Sequence, residues 1–297
     1  MNVDPAEIPV EAGKHRWSLL ARLPMRAPVA SLLWLPALGV AARHYLPFAE
    51  ALAARGVATF VHEWRGRGSS SLRAGRHRDW GYRELLLDDL PASEAAVAAR
   101  LPEAPRLLGG HSLGGQLACC RLALAPEAAS ALWLVASGSP YWRTFPAPTR
   151  WWLPLAYRFL PWLARVRGSL PGRTIGFGGN EAHGLVADWA RSGLSGRYTA
   201  TGLDVDLDAA LARVIQPVRA VWFQDDWLGP PASLEFLVSK TSATTVDARS
   251  LDAEALGLRA NHFAWLRRPE AVADALVNQG ARKPSTRRSG SKSIPVM

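Results

Sequence analysis

Leu107-Leu108-Gly109-Gly110-His111-Ser112-Leu113-Gly114-Gly115 decides the reading of this chain. An apolar run enters a glycine-rich turn, and a helix-forming run, Leu113 to Ala125, leaves it. A strand that turns sharply into a helix lifts the residue at the bend, Ser112, out of the sheet. The bend is strained and crowded, so its flanks must be small, and Gly110 and Gly114 stand at the required spacing. A serine hydroxyl is a poor nucleophile until a base takes its proton. The amides at the start of the following helix offer a field for a developing oxyanion. The bland alternative is a glycine-rich turn with an incidental serine; the flanking strand and helix argue against it.

Outward from this turn, short apolar runs alternate with Ala/Leu/Arg-rich helical stretches. Ser31 to Leu35, Val57 to His62, Arg106 to Gly109, Ala131 to Ser137, Val218 to Gln224 and Thr244 to Ala248 read as strands. Ala42 to Arg55, Leu85 to Arg100 (regular from near Asp89 and Pro91), Leu113 to Ala125 and Pro269 to Gln279 read as helices. This alternation predicts a mostly parallel sheet covered on both faces. Tyr141 to Arg197 breaks the pattern: it is rich in Trp, Pro, Gly and Arg, and reads as a cap inserted at about 141–197. Within it, Thr149 to Val166 is helical and aromatic, with Pro154 and Pro161 as interruptions. Its aromatic residues are expected to be core or pocket wall. A membrane-surface helix is the rival, disfavoured by the two prolines and the want of a clean polar face.

Where such a turn carries a catalytic serine, the acid and the histidine follow it in that order. His262 lies after the last strand and before the final helix. His15, His44, His62 and His77 precede the serine, His111 adjoins it and is expected to face elsewhere, and His183 falls in the cap. The acid is Asp225 or Asp226, on the loop after Val218 to Gln224; its task is to hold the His262 ring. The oxyanion needs two amides. One is Leu113, the residue after the nucleophile; the other comes from Leu35 to Val40, with Leu38 the better candidate and Ala37 the alternative.

The formal charge is +10, mostly from scattered arginines. The dense exception, Arg282 to Lys292, reads as part of a flexible basic tail over 281–297, after a main domain over 15–280. No zinc-ligand spacing or RNA-binding signature supports a nucleic-acid partner. Gly66-Arg67-Gly68 and Gly178-Gly179 do not form a phosphate loop, and the proposed chemistry needs no cofactor and no metal. Cys119 and Cys120 are adjacent, so a mutual disulfide is not expected, and two packed thiols suit a reducing compartment. The N-terminal segment lacks signal-peptide character, and no apolar run spans a bilayer, so the expectation is a cytoplasmic protein without stable membrane insertion.

These residues together resemble the α/β-hydrolase superfamily, in particular the lipase-like, serine aminopeptidase-like branch that includes monoacylglycerol lipases. The resemblance rests on Leu35 to Val40, on Glu63-Trp64-Arg65-Gly66-Arg67-Gly68-Ser69-Ser70 for a D-x-R-G-x-G-x-S turn, and on Gly110 to Gly115, Asp226 to Pro230 and His262 to Arg267. A narrower similarity is to a group of bacterial α/β-hydrolases of unassigned substrate. There Ala136 to Arg143, Pro171 to Arg173, Trp189 to Arg191 and His262 to Arg267 have counterparts. The D-x-L-x-P pattern of such hydrolases favours Asp226 over Asp225. Departures are Pro36-Ala37 for the usual His-Gly, Glu63 for aspartate, and Asn261 for glycine.

The resemblance implies an α/β-hydrolase fold with an inserted helical cap and a Ser112-Asp226-His262 triad. The activity implied is cleavage of an ester or thioester of a small or lipid-like apolar substrate. Acyl transfer with the same triad and a non-catalytic binding protein are the alternatives. The partner expected is a small-molecule acyl substrate; the sequence leaves the oligomeric state open.

Overall fold

The computed structural model describes residues 5–278. The expected basic tail at 281–297 lies outside the described residues. Eight strands form one sheet: β1 (Ala6–Ala12), β2 (His15–Arg22), β3 (Ala30–Leu35), β4 (Val57–Val61), β5 (Arg106–His111), β6 (Ala131–Val135), β7 (Val218–Phe223) and β8 (Val246–Leu251). Their order is β1-β2-β4-β3-β5-β6-β7-β8. Only β1 with β2 and β2 with β4 pair antiparallel; every other neighbour is parallel.

β3 and β4 are buried along their whole length, as strands covered on both faces must be. Alternate residues feed opposite cores. Leu32 and Trp34 join Val61, Trp133 and Val221 under α1 (Leu46–Ala53) and the C-terminal α6 (Glu270–Val277). Leu33 and Leu35 join Phe60, Leu108 and Leu134 under α2 (Leu90–Arg100) and α3 (Leu113–Leu124). The architecture is the three-layered one expected.

Four local expectations need correction. The sheet begins at Ala6, ahead of the start at 15 expected for the domain. β1 is an edge strand with Val10 as its one buried residue, so it carries little apolar signal, and Pro9 is tolerated because the edge needs no ladder there. The helix expected over Leu85 to Arg100, regular from near Asp89, starts at Tyr82 and passes through a π-helical turn at Leu85–Asp89. That wider turn buries Asp89, which accepts hydrogen bonds from His15 and Arg65. β8 is shifted to Val246–Leu251 and is largely exposed, again an edge strand with weak apolar patterning. Finally, Pro154 and Pro161 do not interrupt α4, which is one helix over Thr149–Arg167. Its inner side chains Leu153, Tyr157 and Ala164 stay buried, which offsets the N–H bond each proline forfeits and the crowding of its ring on the carbonyl four residues back.

Between β6 and β7, α4 packs on α5 (His183–Ser195). Tyr157 lies over Gly193, where a Cβ would overlap its ring, and sits edge-on to Trp189. Both thiols are free and buried; burial pushes Cys119 up to about 12 and raises Cys120 well above its ordinary value, so neither is a nucleophile at neutral pH.

Candidate active site

Ser112 stands between β5 and α3 at φ 56° and ψ −120°, a strained setting for a residue with a side chain. Its N–H donates to the Val135 carbonyl at 3.1 Å, tying the bend to β6. The glycines around it have no room for anything larger. A Cβ on Gly110 would overlap the Gly114 backbone, one on Gly114 the Leu35 carbonyl, and one on Gly115 the Ser137 hydroxyl. The G-x-S-x-G spacing is therefore a packing requirement: the start of α3 lies directly on the end of β3.

His262 and Asp226 meet on the loops after β8 and β7. His262 Nδ1 is 2.7 Å from Asp226 Oδ2, and both residues are buried. Asp226 Oδ1 accepts the N–H groups of Leu228 and Gly229 at 2.9 and 3.1 Å, which fixes the carboxylate independently of the histidine. Asp225 is exposed and uses its N–H on the Ala260 carbonyl, so of the two sequence candidates Asp226 is the one brought to His262. The Asn261 side chain accepts from the N–H groups of Phe263 and Ala264, and Trp265 Nε1 donates to the His262 carbonyl at 3.1 Å. Asparagine thus braces the loop where glycine is usual. Among the described hydrogen bonds, none joins the Ser112 hydroxyl to His262; such bonds often tighten only with substrate bound.

His111 does not face elsewhere as expected. Its ring centroid is 4.8 Å from that of His262, and its Nδ1 is 2.8 Å from the Tyr45 hydroxyl. The Tyr45 oxygen in turn accepts the Ala37 N–H at 2.8 Å. With that N–H donated to it, the Tyr45 hydroxyl points its proton at His111 Nδ1, leaving the proton of neutral His111 on Nε2. Burial holds the His111 imidazole far below its ordinary range, and positive charge on His262 pushes the same way. His111 therefore stays neutral beside the base. Sequence reasoning missed this Ala37–Tyr45–His111 chain; only the adjacency of His111 to Ser112 hinted at it.

The same chain bears on the oxyanion donors. The Ala37 N–H is taken by Tyr45, whereas those of Leu38 and Leu113 have no partner among the described residues. Trp64 Nε1 holds the Pro36 carbonyl at 2.8 Å, and Gly39 at φ 78° turns the loop against the cap's Gly178. Glu63 takes the place of the motif's aspartate. It is buried, accepts the Ala42 N–H, and leaves no space for a Cβ at Gly68; burial raises its pKa against the opposing pull of that bond. A buried Arg67–Glu181 ion pair fastens the cap to this turn.

Beside the two free amides lies a slot lined by Leu38, Trp64, Leu113, Leu117 and Leu185, with a cavity volume of about 10 Å³, the room of one water. Larger concavities, of about 460 and 790 Å³, lie at the opposite edge of the sheet and beside β2, away from His262. Among the described residues, no three His, Cys, Asp or Glu side chains gather as a metal site.

A parallel sheet with helices on both faces, a strained serine elbow after β5 and a buried His–Asp pair at the same sheet edge define an α/β-hydrolase. The Hydrolase_4 family (serine aminopeptidase, S33) matches residues 26–182, more than half of the sequence, and the chain belongs to that family. Solved structures share the fold at low identity. A hydrolase from Pseudomonas aeruginosa PA01 aligns with TM-score 0.61 and 17% identity over 93% of this chain and 98% of its own. The esterase domain of a Rhodothermus marinus protein aligns with TM-score 0.59 and 16% identity over 93% and 97%. A Paleococcus ferrophilus monoacylglycerol lipase aligns with TM-score 0.57 and 16% identity over 87% and 98%. No curated protein matches the chain.

Proposed function

We propose that this chain is a serine hydrolase that cleaves an ester or thioester of a small or lipid-like apolar substrate through an acyl-enzyme on Ser112. The observation that carries the reading is the buried His262–Asp226 pair at the sheet edge where the elbow lifts Ser112. In this mechanism His262 Nε2 takes the Ser112 proton as the oxygen attacks the carbonyl carbon. Asp226 keeps the Nδ1–H directed and stabilises the imidazolium. The Leu38 and Leu113 amides receive the oxyanion. Collapse of the tetrahedral intermediate breaks the bond to the alkoxide or thiolate, which leaves with the proton from His262. Water, deprotonated by His262, then attacks the acyl-enzyme and releases the acid and Ser112. No cofactor enters.

A p-nitrophenyl ester series from acetate to laurate tests this reading. Wild type is expected to turn over members of the series, with the preferred chain length sizing the acyl pocket, and Ser112→Ala to lose several orders of magnitude. Equal inertness of both proteins sinks the reading.

One observation favours a second reading, acyl transfer to an acceptor other than water. The Arg67–Glu181 pair and the Gly39–Gly178 contact seat the cap directly on the oxyanion loop, an arrangement that would keep water from an acyl-enzyme. Partition of product between free acid and an added alcohol separates the two.

A further inference from the structure

α4 is apolar on two opposite sides. Leu153, Tyr157 and Ala164 face inward and pack against Phe145, Ala190, Leu170 and Val186. On the other side Trp151, Leu155, Phe159, Trp162 and Val166 recur at intervals of four, four, three and four residues, the repeat of a single helical stripe. All five are exposed: Leu155 at 69%, Trp151 at 67% and Trp162 at 58%. The sequence expectation that these aromatics form core or pocket wall is therefore corrected, because one helix cannot bury two opposite faces against a single neighbour. A water-facing stripe of this size is costly for a monomer and marks an interaction surface.

The charges beside the stripe indicate the partner. Arg158 and Arg165 flank it on one side, Arg167 follows near the helix end, and the helix holds no Asp or Glu. A second copy packed face to face would bring arginines toward arginines with no carboxylate on the helix to pair them. An anionic lipid surface answers both features: headgroup phosphates for the guanidinium groups, and the interfacial region for Trp and Phe. The stripe also continues toward the chemistry. Trp152 lies 6.1 Å from Trp227, which follows Asp226; Phe263 follows His262, and both Trp227 and Phe263 are exposed. Among the described residues no helix is long and apolar enough to cross a membrane, so the contact would be peripheral.

We propose that the outer face of α4, built on Trp151, Leu155, Phe159 and Trp162 with Arg158 and Arg165, docks the protein on the surface of an anionic lipid bilayer. The inference goes beyond the hydrolase reading and stands without it.

The test is co-sedimentation of the full-length protein with extruded phosphatidylcholine vesicles, neutral or containing about one third phosphatidylglycerol. Wild type is expected to bind the anionic vesicles. The triple variant Trp151→Ser, Phe159→Ser, Trp162→Ser is expected to bind them at least about tenfold more weakly, since apolar burial drives adsorption. It retains the rest of the chain, the basic residues 282–292 included, so the difference reads α4 alone. Arg158→Gln with Arg165→Gln is expected to weaken binding to anionic vesicles about tenfold and leave binding to neutral vesicles unchanged. Both variants alter exposed side chains and are expected to melt with wild type. Equal binding by wild type and the triple variant overturns the proposal. So does a dimer in sedimentation equilibrium that the three aromatic substitutions dissolve, because the face would then belong to a second copy.

Discussion

At the elbow around Ser112, Gly110, Gly114 and Gly115 each lack room for one more carbon, and buried hydrogen bonds from Trp64 to the Pro36 carbonyl and from Ser137 to the Gly110 carbonyl tie the segments that meet them. On the outer face of α4, Trp151, Leu155 and Trp162 meet solvent, and substitutions there are expected to disturb little packing. Both regions are dense in residues unusual for their setting, glycine in one and tryptophan in the other. In the first, backbone contact dictates the residue type. In the second, nothing among the described residues does, and the proposed lipid surface would supply the reason.

The largest effect that separates the regions is chemical. Asp226→Asn is expected to lower kcat by about 10³–10⁴-fold through the wrong His262 tautomer, while Asp225→Asn stays near wild type. Comparable losses at both positions would mean that the 2.7 Å bond does not define the acid.

The next effect is on stability against pH. His62 is buried and held neutral down to about 3, mainly by desolvation, and His111 is pushed the same way. The unfolded chain protonates both below their ordinary value of 6.5, so it binds more protons than the native state there. Stability is therefore lost as pH falls from 6.5, by up to about 1.4 kcal/mol per pH unit for each histidine. Urea midpoints between pH 7.5 and 5 measure this, and His62→Asn should flatten the slope. A midpoint independent of pH would contradict the burial of both rings as neutral species.

Smaller effects follow from packing. Gly114→Ala is expected to cost about 1–3 kcal/mol in urea unfolding, since the new methyl meets the Leu35 carbonyl. Tyr45→Phe removes the hydroxyl between Ala37 and His111, and is expected to lower kcat about tenfold with KM held, alongside about 1–3 kcal/mol of stability for the orphaned N–H. Leu155→Ser, on the exposed stripe, should change stability by less than about 0.5 kcal/mol. A large loss there would mean that the outer face packs against protein after all.

What could be read from the sequence follows the same division. The elbow, the central strands and the position of His262 were legible because crowding and burial on two faces restrict residue type at short range. The edge strands β1 and β8 were faint or misplaced because solvent on one side relaxes the apolar pattern. Pro154 and Pro161 misled because the inner face of α4 outweighs two lost bonds. The exposure of its outer face could not be read from periodicity, since a buried stripe and a water-facing one have the same repeat. The Ala37–Tyr45–His111 chain joins residues far apart in sequence by side-chain geometry alone, and no spacing announces it. For Asp225 and Asp226, two adjacent carboxylates, the family loop pattern pointed to the residue that the fold brings to His262.

The central claim is that Ser112 is activated by His262. Fluorophosphonate labelling followed by peptide mass mapping tests it most directly. The account predicts one adduct, on Ser112, that is absent in Ser112→Ala and forms about 10³-fold more slowly or worse in His262→Ala. No adduct, an adduct on another serine, or an equal labelling rate without His262 would contradict it.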